Sequence, residues 1–508
     1  MSKLLFKLFA IILQKKIKEI IMPEFIFNTT QSAPKSPVKV ILTSSASFDC
    51  GRFCKEETIR ELKSAVKEAK FNGAFGKTVS VYNGKNRYIL LGTGAKPTQI
   101  DIQVLGGKIF KQINNYEDVA FLVSPLPKSK LSASDIAGSL AFGIELGGYR
   151  FDKYFTAKNS NDYPALDKVE FYASDGSLDS QCYRKLSAVA NAVRYARDLC
   201  NEPANYLTPE VFAEDIKRLE YLGLKVEILD EKNLRSLGMN MLLSVAQGSH
   251  NLPRVAVIRW NGAPDRKETD LGLVGKGVTF DSGGISLKPA NGMGDMKGDM
   301  TGAAVVVATL KAAALCKVKQ NIAGIVGLVE NMPSGHATRP GDIVTSMSGQ
   351  TVEIINTDAE GRLVLGDCLW YLQEKLGPKV IIDIATLTGS TMRTFGFEYA
   401  GLFCNTDKMA ADLCEKGEQS GEKIWRLPVT KEYDKLIDSD IADMKNCGPA
   451  NAGGITAACF LQRFIRPQNC WAHLDIAGVD RDDKGHPLTP KGATGFGVRL
   501  LTKFIHCW

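Results

Sequence analysis

Runs of apolar, β-branched residues in the C-terminal half of the chain restrict its fold more than any other feature. The clearest runs lie at residues 225–229, 255–260, 271–274, 322–329 and 380–384. Strands that are this apolar along their whole length fit a sheet that is covered on both faces. Ala-rich helical stretches, such as residues 302–315, lie between the runs. The sequence therefore predicts a large α/β domain.

A second α/β pattern precedes the first one along the chain. Strand candidates such as residues 38–42 alternate with helical stretches such as residues 56–70. A segment rich in Asp, Ser and Asn, residues 158–179, then interrupts the pattern. We predict an N-terminal α/β domain over residues 36–180 and a larger domain over residues 181–508.

Composition and charge exclude several classes of protein. The chain has 508 residues, of which 44% are hydrophobic and 23% charged, as in folded proteins rather than disordered ones. Its 63 basic and 56 acidic residues form no dense Lys/Arg cluster, so we predict no nucleic-acid partner. The twelve cysteines are scattered, with Cys50 and Cys54 as the closest pair, which indicates reduced thiols in a reducing compartment.

Residues 1–35 are predicted to be a leader or a disordered extension. Lysines interrupt its apolar stretch well short of the ~20 residues that a membrane span needs, so no span is predicted. Because no acid precedes Glu19, residues 1–21 also suit a mitochondrial presequence, although an alternative start at Met22 would omit them. We predict a cytoplasmic protein, with the mitochondrion as the alternative.

Acidic residues follow several predicted strands of the large domain. Asp281 lies in a glycine-rich segment after one strand candidate, and Asp299 comes shortly afterwards. Asp358 and Glu360 follow another candidate at residues 352–355. Open α/β sheets bind ligands at such strand ends. Four carboxylates in apolar surroundings repel one another unless cations neutralise them, because uncompensated buried charge costs several kcal/mol.

The predicted ligands of these cations are carboxylate oxygens, which suit Mg²⁺, Mn²⁺ and, where the geometry permits, Zn²⁺. Two such cations can bind a bridging hydroxide and polarise a carbonyl, as amide hydrolysis requires. The five histidines form no HExxH motif and are predicted to be structural. The amine of Lys276 can ligate a metal only when it is deprotonated, a state that burial and adjacent cations favour by lowering its pKa.

The octapeptide NTDAEGRL at residues 356–363 resembles the signature of the leucyl aminopeptidases, the cytosol aminopeptidase family of two-metal peptidases. Further segments match in the family's order: VGKGVTFDSGGISLKP (274–289), MKGDMTGAA (296–304), ENMPSGHATRPGDIV (330–344) and DIATLTGS (383–390). The resemblance is strong over residues 180–505, looser over 36–180 and silent on the first 35. It implies a smaller N-terminal α/β domain, a larger catalytic domain with a mixed sheet flanked by helices, and a homohexamer.

The resemblance also implies which residues carry the chemistry. The ligands of two divalent cations, Zn²⁺, Mn²⁺ or Mg²⁺, would be Lys276, Asp281, Asp299, Asp358 and Glu360, with Asp281 and Glu360 as the bridging candidates. Lys288 would bind the substrate carbonyl and stabilise the oxyanion of the tetrahedral intermediate. Arg362 would hold a bicarbonate that acts as general base toward the bridging water.

The peptide substrate is expected to bind through its free α-amine, which would coordinate one metal and restrict cleavage to the N-terminus. The implied substrate-binding positions are Met296, Asn356, Thr386, Leu387, Gly389 and Ala477. Asp480 departs from the family pattern, which has an apolar pocket wall there. This acid either lies at the pocket rim without effect or shifts the preference from Leu toward basic or polar residues.

Two alternatives to an active peptidase predict different features of the chain. A structural or binding protein, such as the bacterial relatives that bind DNA, would show broken ligand positions or a clustered basic face, and the sequence has neither. A two-metal phosphoesterase would cleave phosphate esters and leave peptides untouched. The sequence favours a metal-dependent aminopeptidase that removes Leu and other N-terminal residues through a two-metal-activated water.

Overall fold

The computed structural model describes residues 22–28, 33–50, 53–156, 163–173 and 178–506. The chain forms two compact units, which divide between Ser187 and Ala188. Residues 486–490 group with the N-terminal unit, and the rest of the chain after Ser187 forms the C-terminal unit. The domain boundary at residue 180 stays a prediction.

The N-terminal unit contains a six-stranded sheet in the order β1-β6-β5-β2-β4-β3. Its strands are β1 (Glu24–Asn28), β2 (Val38–Thr43), β3 (Thr78–Asn83), β4 (Asn86–Gly92), β5 (Asp118–Val123) and β6 (Lys168–Ala173). All neighbours are parallel except β3 and β4. Its helices are α1 (Glu56–Glu68), α2 (Gln99–Ile113) and α3 (Ala133–Gly147). Neighbouring residues of β2 point to opposite faces of the sheet and belong to two separate core clusters. One cluster includes residues of α1 and the other includes residues of α2 and α3, so helices cover both faces of the sheet.

Strand β1 corrects one part, residues 24–28, of the prediction that residues 1–35 form a leader or a disordered extension. Glu24–Asn28 is the edge strand of the sheet and pairs in parallel with β6. Its alternating residues Phe25 and Phe27 pack against the core cluster of α2 and α3, which explains why this short run is a strand. The predicted presequence at residues 1–21 lies outside the described residues.

The C-terminal unit is built on a mixed eight-stranded sheet in the order β15-β14-β17-β13-β9-β10-β8-β7. Its strands are β7 (Lys225–Leu229), β8 (Arg254–Asn261), β9 (Leu271–Asp281), β10 (Asn321–Asn331), β13 (Val380–Ala385), β14 (Ala400–Cys404), β15 (Ile424–Arg426) and β17 (Cys470–Asp475). The central strands β17, β13, β9 and β10 are parallel. Two small sheets contain β11 (Ile343–Thr345), β12 (Thr351–Glu353), β16 (Met444–Lys445), β18 (Arg481–Asp482) and β19 (Gly492–Ala493).

Helices surround this sheet, as the predicted fold class requires. They are α5 (Pro209–Arg218), α6 (Glu231–Leu237), α7 (Asn240–Ala246), α8 (Thr301–Leu315), α9 (Gly361–Lys375), α10 (Gly389–Phe395), α11 (Asp407–Ser420), α12 (Lys431–Asp434), α13 (Gly453–Gln462) and α14 (Val498–Phe504), while the preceding helix α4 (Gln181–Asn201) contains the division between the two units. Helix α8 lies directly on the sheet, where a Cβ atom at Gly275 would be 2.7 Å from the Cα atom of Ala303. Glycine at this position therefore permits the close approach of helix and strand.

One helical stretch in the described residues, Met293–Cys316, is long and apolar enough to cross a membrane by length and composition alone. It includes α8, and 89% of its apolar window is buried inside the fold. Core helices of large soluble units pass the same test, and this helix covers β9 and β10. The burial of this stretch therefore identifies it as a helix of the protein core.

A buried carboxylate in α9 should make stability depend on pH. Asp367 is fully buried and accepts hydrogen bonds from the backbone N–H groups of Leu242, at 3.1 Å, and Met347, at 2.8 Å. Burial raises the pKa of Asp367 to about 7 despite these bonds. The folded state therefore binds its proton more tightly than the unfolded state, so this group costs stability progressively as pH rises from about 4 to 7.

We expect Asp367→Asn to remove this dependence. As pH rises through that range, the unfolding free energy of the variant should increase relative to that of the wild type by roughly 1.4 kcal/mol per pH unit. Urea unfolding at pH 5, 6 and 7 measures it, with the exposed Asp407→Asn as the control. A difference that stays constant with pH would contradict the assignment.

Candidate metal centre

The site lies at the carboxyl edge of the parallel strands. Strand β9 is longer than its predicted apolar core, because it continues through Asp281, so that Lys276 is a strand residue rather than a loop residue. Asn331 ends β10 and Asp475 ends β17. The loop after β13 begins with Thr386. Since parallel strands end at the same edge, all these side chains converge there.

Three carboxylates form the centre of the site. Asp281, Asp358 and Glu360 each offer an oxygen, and these atoms all lie within 4.8 Å of one another. Asp281 and Glu360 are buried, whereas Asp358 is partly exposed. Burial, reinforced by the charges of Asp281 and Glu360, raises the pKa of Asp358 to about 6, although a hydrogen bond from Lys288 opposes the rise. The cluster is thus a concentration of negative charge.

Lys288 faces the open side of this cluster. Its Nζ lies 2.7 Å from Oδ2 of Asp281 and 2.5 Å from Oδ1 of Asp358. One fifth of its side chain is exposed, so the ammonium borders both the carboxylates and the solvent. Burial opposes its charge, but the neighbouring carboxylates outweigh burial and raise the pKa of Lys288 above its usual range.

Lys276 joins a fourth carboxylate to the other three. Its Nζ lies 2.7 Å from Oδ1 of Asp299 and 2.8 Å from Oε1 of Glu360, and it donates to the carbonyl of Thr386 at 2.8 Å. Burial opposes the charge, yet the carboxylates raise the pKa of Lys276 above its usual range. The carboxylates alone therefore hold the proton on this amine, and the neutral amine that the sequence predicts requires cations beside it.

The donor set fits divalent cations. Four carboxylates face only two ammonium groups, and Oδ2 of Asp299 is buried without a hydrogen-bond partner among the described residues. Burial raises the pKa of Asp299 well above its usual range, the sign of an under-compensated carboxylate. Oxygen-rich sets of this kind are the preferred ligands of hard divalent cations.

Gly361 makes room for Lys276. A Cβ atom at this position would lie 2.7 Å from Cε and 2.9 Å from Nζ of Lys276. Any larger residue between Glu360 and Arg362 would displace the lysine from its carboxylates. This contact gives a physical reason for the glycine in the octapeptide.

Arg362 is buried in the first turn of α9 and is held by a loop that sequence reasoning missed. Its Nη1 donates to the carbonyl of Asn446 at 2.9 Å, while its Nε has no partner among the described residues. Burial lowers the pKa of Arg362 from its usual value. The amide of Asn446 also donates to the carbonyl of Asn356 at 2.7 Å and so supports the loop that carries Asp358.

Asn331 is a second residue that sequence reasoning missed. An irregularity in β10 after Val329 places Asn331 opposite Asp281, and its Nδ2 donates to Asp281 Oδ1 at 2.8 Å and to the carbonyl of Thr357 at 3.1 Å. Bulges often redirect side chains next to active sites. Asn331 therefore orients one carboxylate and connects it to the loop of the others. The sequence feature that could have identified Asn331 is its position at the end of a predicted strand.

The predicted substrate-binding residues lie in the loops around the carboxylates. Oγ1 of Thr386 donates to Asp299 Oδ1 at 2.9 Å. The carboxylate of Asp475, another missed residue, accepts from the backbone N–H groups of Leu387, at 3.1 Å, and Ala477, at 3.2 Å. The predicted substrate-binding residues Leu387 and Ala477 are thus both held by the carboxylate of Asp475.

The remaining positions are less closely tied to the carboxylates. Gly389 begins α10, and Asn356 accepts the backbone N–H of Asp358 at 2.8 Å. Met296 lies in the 3-10 turn Met293–Gly298 that precedes Asp299. Asp480 is partly buried, and burial raises its pKa to about 6.

A carboxylate cluster at the carboxyl edge of a mixed α/β sheet, with two lysines and a buried arginine, defines a metal-dependent hydrolase. The chain belongs to the cytosol aminopeptidase family: its catalytic-domain model matches residues 194–502 and its N-terminal-domain model matches residues 42–158. The protein is thus a metal-dependent aminopeptidase, a hydrolase that acts on the N-termini of peptides. The predicted family, fold class and reaction are confirmed.

Individual relatives agree with this assignment. A probable cytosol aminopeptidase of Brucella ovis is 46% identical over 486 residues, which are 93% of this chain and 96% of the relative. A mutant of tomato leucine aminopeptidase has a TM-score of 0.83 at 31% identity, covering 96% of this chain and 97% of that one. The bottromycin maturation enzyme BotP in complex with Mn has a TM-score of 0.82 at 32% identity, covering 92% and 99%.

Proposed function

We propose that the protein holds two divalent cations with Lys276, Asp281, Asp299, Asp358 and Glu360. The convergence of three carboxylate oxygens within 4.8 Å is the observation that carries the proposal. Oδ2 of Asp299, which has no hydrogen-bond partner among the described residues, supports a second cation. When bound, such cations supply Lewis-acid chemistry, which makes water more acidic and polarises a peptide carbonyl.

The two basic side chains have separate duties in this proposal. The ammonium of Lys288 moves from its carboxylate partners to the scissile carbonyl, where its charge stabilises the developing oxyanion. Arg362 is held in its buried position by Asn446, and its Nε has no hydrogen-bond partner among the described residues. This Nε would hold a bicarbonate, which would supply a general base for the attacking water. Cations bound beside Lys276 would lower the pKa of its amine and so favour the neutral form that can act as a ligand.

The substrate class is a peptide with a free α-amine, which adds a ligand to the cations and excludes internal bonds from cleavage. Met296, Asn356, Thr386, Leu387, Gly389 and Ala477 line the pocket for the first side chain. We propose Leu among the accepted residues. Asp480 either lies at the rim of this pocket without effect or shifts the preference toward basic or polar residues. An activity profile across different N-terminal residues decides between these two possibilities.

Metal identity, assembly and compartment also belong to the proposal. We propose Zn²⁺ or Mn²⁺ in the site, with Mn²⁺ supported by the bound metal of the related maturation enzyme. A homohexamer and a cytoplasmic location are proposed by resemblance to relatives described as cytosol aminopeptidases. The mitochondrion stays the alternative if residues 1–21 act as a presequence.

The test is an activity profile after metal removal and reconstitution. We expect a chelator to abolish cleavage of Leu-, Met- and Arg-amides, because the proposed reaction depends on the Lewis-acid chemistry of the cations. Addition of Mn²⁺ or Zn²⁺ should restore cleavage. N-acetylated Leu-amide is the control and should resist cleavage. Turnover of phosphate esters without release of any amino acid would instead support a phosphoesterase and refute the proposal.

The variant Asp480→Ala is profiled beside the wild type. A fall in the ratio of Arg-amide to Leu-amide cleavage would show that the acid selects basic residues. An unchanged ratio would place it at the rim without effect.

A further inference from the structure

A cavity of about 280 Å³ lies in the N-terminal unit, at the amino ends of β5 and β6. Pockets that bind small molecules have a lower limit of roughly 300 Å³, so a cavity near that limit suits a small ligand. Its polar lining residues are Lys35, Ser36, Asp118, Lys168, Glu170 and Tyr172. None of these residues belongs to the metal centre or to the predicted substrate pocket.

The carboxylate of Glu170 is held in a fixed orientation on the wall of this cavity. Oγ of Ser36 donates to its Oε2 at 2.7 Å, and the hydroxyl of Tyr172 donates to its Oε1 at 3.3 Å. Both donors are buried, with exposures of 3% and 5%. Burial and the charge of Glu170 raise the pKa of Tyr172 to about 12, so the phenol keeps its proton. The two hydroxyl groups therefore orient the carboxylate without neutralising its charge.

The wall segment that carries Ser36 is itself anchored to the sheet. Its carbonyl accepts a hydrogen bond from Nζ of Lys39 at 2.7 Å, and the same ammonium donates to Oδ1 of Asn86 at 3.0 Å. Lys39 is buried, so this anchor is shielded from solvent. The position of Ser36 beside Glu170 is thus built into the fold before any ligand arrives.

The charges that line the cavity are only partly paired with one another. Nζ of Lys168 lies 3.5 Å from Oδ1 of Asp118. In the part of the chain that the structure describes, this is the only ion pair among the charged lining residues, so Lys35 and Glu170 have no ionic partner there. The cavity therefore offers one carboxylate to a cationic group and one ammonium to an anionic group.

We propose that this cavity binds a free α-amino acid, with its ammonium group on Glu170 and its carboxylate on Lys35. A zwitterion supplies both missing charges in one small molecule and leaves the cavity with no added net charge. A simple anion would instead meet the carboxylates of Glu170 and Asp118, and an amine without a carboxylate would leave Lys35 unpaired. If the chain is the aminopeptidase proposed above, such a ligand is its own reaction product; this link rests on the proposed function, whereas the binding site does not.

The test is isothermal titration calorimetry of the full-length, metal-loaded protein with L-leucine and with L-alanine. We expect Glu170→Gln, which keeps the size of the side chain but not its charge, to weaken amino-acid binding at the cavity by about tenfold or more. Hydrolysis of Leu-amide by the same variant should be unchanged, because Glu170 lies outside the metal centre. The matched control is Glu57→Gln, an exposed residue of α1 outside the cavity lining.

Binding at the metal centre is separated from binding at the cavity by the variant Asp358→Ala. We expect this variant to keep the amino-acid binding that Glu170→Gln removes. Binding of both amino acids that is the same in wild type and Glu170→Gln, or no binding of either one, would overturn the proposal. Amino-acid binding at the cavity without any cleavage of Leu-amide by the wild type would refute the proposed function alone.

Two analogues of leucine test the need for both charges. The first, 4-methylpentanoate, lacks the ammonium group, and the second, 3-methylbutylamine, lacks the carboxylate. We expect each to bind about tenfold more weakly than L-leucine at the site that Glu170→Gln removes. Equal affinity of either analogue, or displacement of leucine by inorganic phosphate, would show a site for a single charge and contradict the assignment.

Discussion

Asp358→Ala is expected to remove bound metal and activity together. Asp358 supplies one of the three carboxylate oxygens that lie within 4.8 Å of one another, so its loss removes one negative charge from the centre of the proposed ligand set. Losing about 4 kcal/mol of Lewis-acid stabilisation corresponds to a ~10³-fold fall in kcat/KM. Elemental analysis of the purified variant and its hydrolysis of Leu-amide measure the two effects.

Two further variants make this result specific. Asp342→Ala removes a loop carboxylate that pairs with Arg339 away from the cluster, and it should keep both metal and activity. Asp358→Asn retains the size of the side chain but not its charge, and we expect intermediate metal content. Full metal occupancy with wild-type turnover in Asp358→Ala would show that the residue is not a ligand.

Lys288→Ala is expected to lower kcat by about 10²- to 10³-fold while the metal content stays constant. A positive charge next to the developing oxyanion contributes an amount of this order when it is preorganised. Its removal does not weaken cation binding, because the ammonium competes with cations for Asp281 and Asp358. Steady-state kinetics on Leu-amide and elemental analysis of the same sample test both statements.

The control for this variant is Lys297→Ala. Lys297 donates to the carbonyl of Asn201 at 2.8 Å, whereas the ion pairs of the three central carboxylates among the described residues are made by Lys276 and Lys288. It should retain kcat, whereas Lys288→Arg, which keeps the charge with another shape, should recover part of the loss. Metal loss in Lys288→Ala would show that the lysine has a structural role in the cluster instead.

Sequence reasoning succeeded where the information was local. The apolar runs at β8, β10 and β13 predicted buried strands because every residue of such a strand meets a covered face. The acids Asp281 and Asp358 stood out because each follows such a run. The same reasoning predicted β9 only over residues 271–274, whereas the strand extends to Asp281. Lys276 and the glycines beside it interrupt the apolar pattern in the second half of the strand.

Other parts depended on contacts between distant residues. β1 is a strand because it pairs with β6 about 140 residues away and inserts Phe25 and Phe27 into a core that sequence order does not reveal. Asn446 supports the octapeptide loop from a two-residue strand and a turn that have no distinctive pattern. Asn331 reaches Asp281 through an irregularity in β10, which residue types alone do not announce.

The sequence by itself determined the two α/β units, the family and the types of side chain available for chemistry, because periodicity and residue identity are written along the chain. The tertiary structure decided which of these side chains meet. It brought Asp281, Asp358 and Glu360 together, set Lys276 between Asp299 and Glu360, and anchored Arg362 on a separate loop. These distances follow from the parallel strands ending at one edge, a property of the assembled sheet rather than of any single segment.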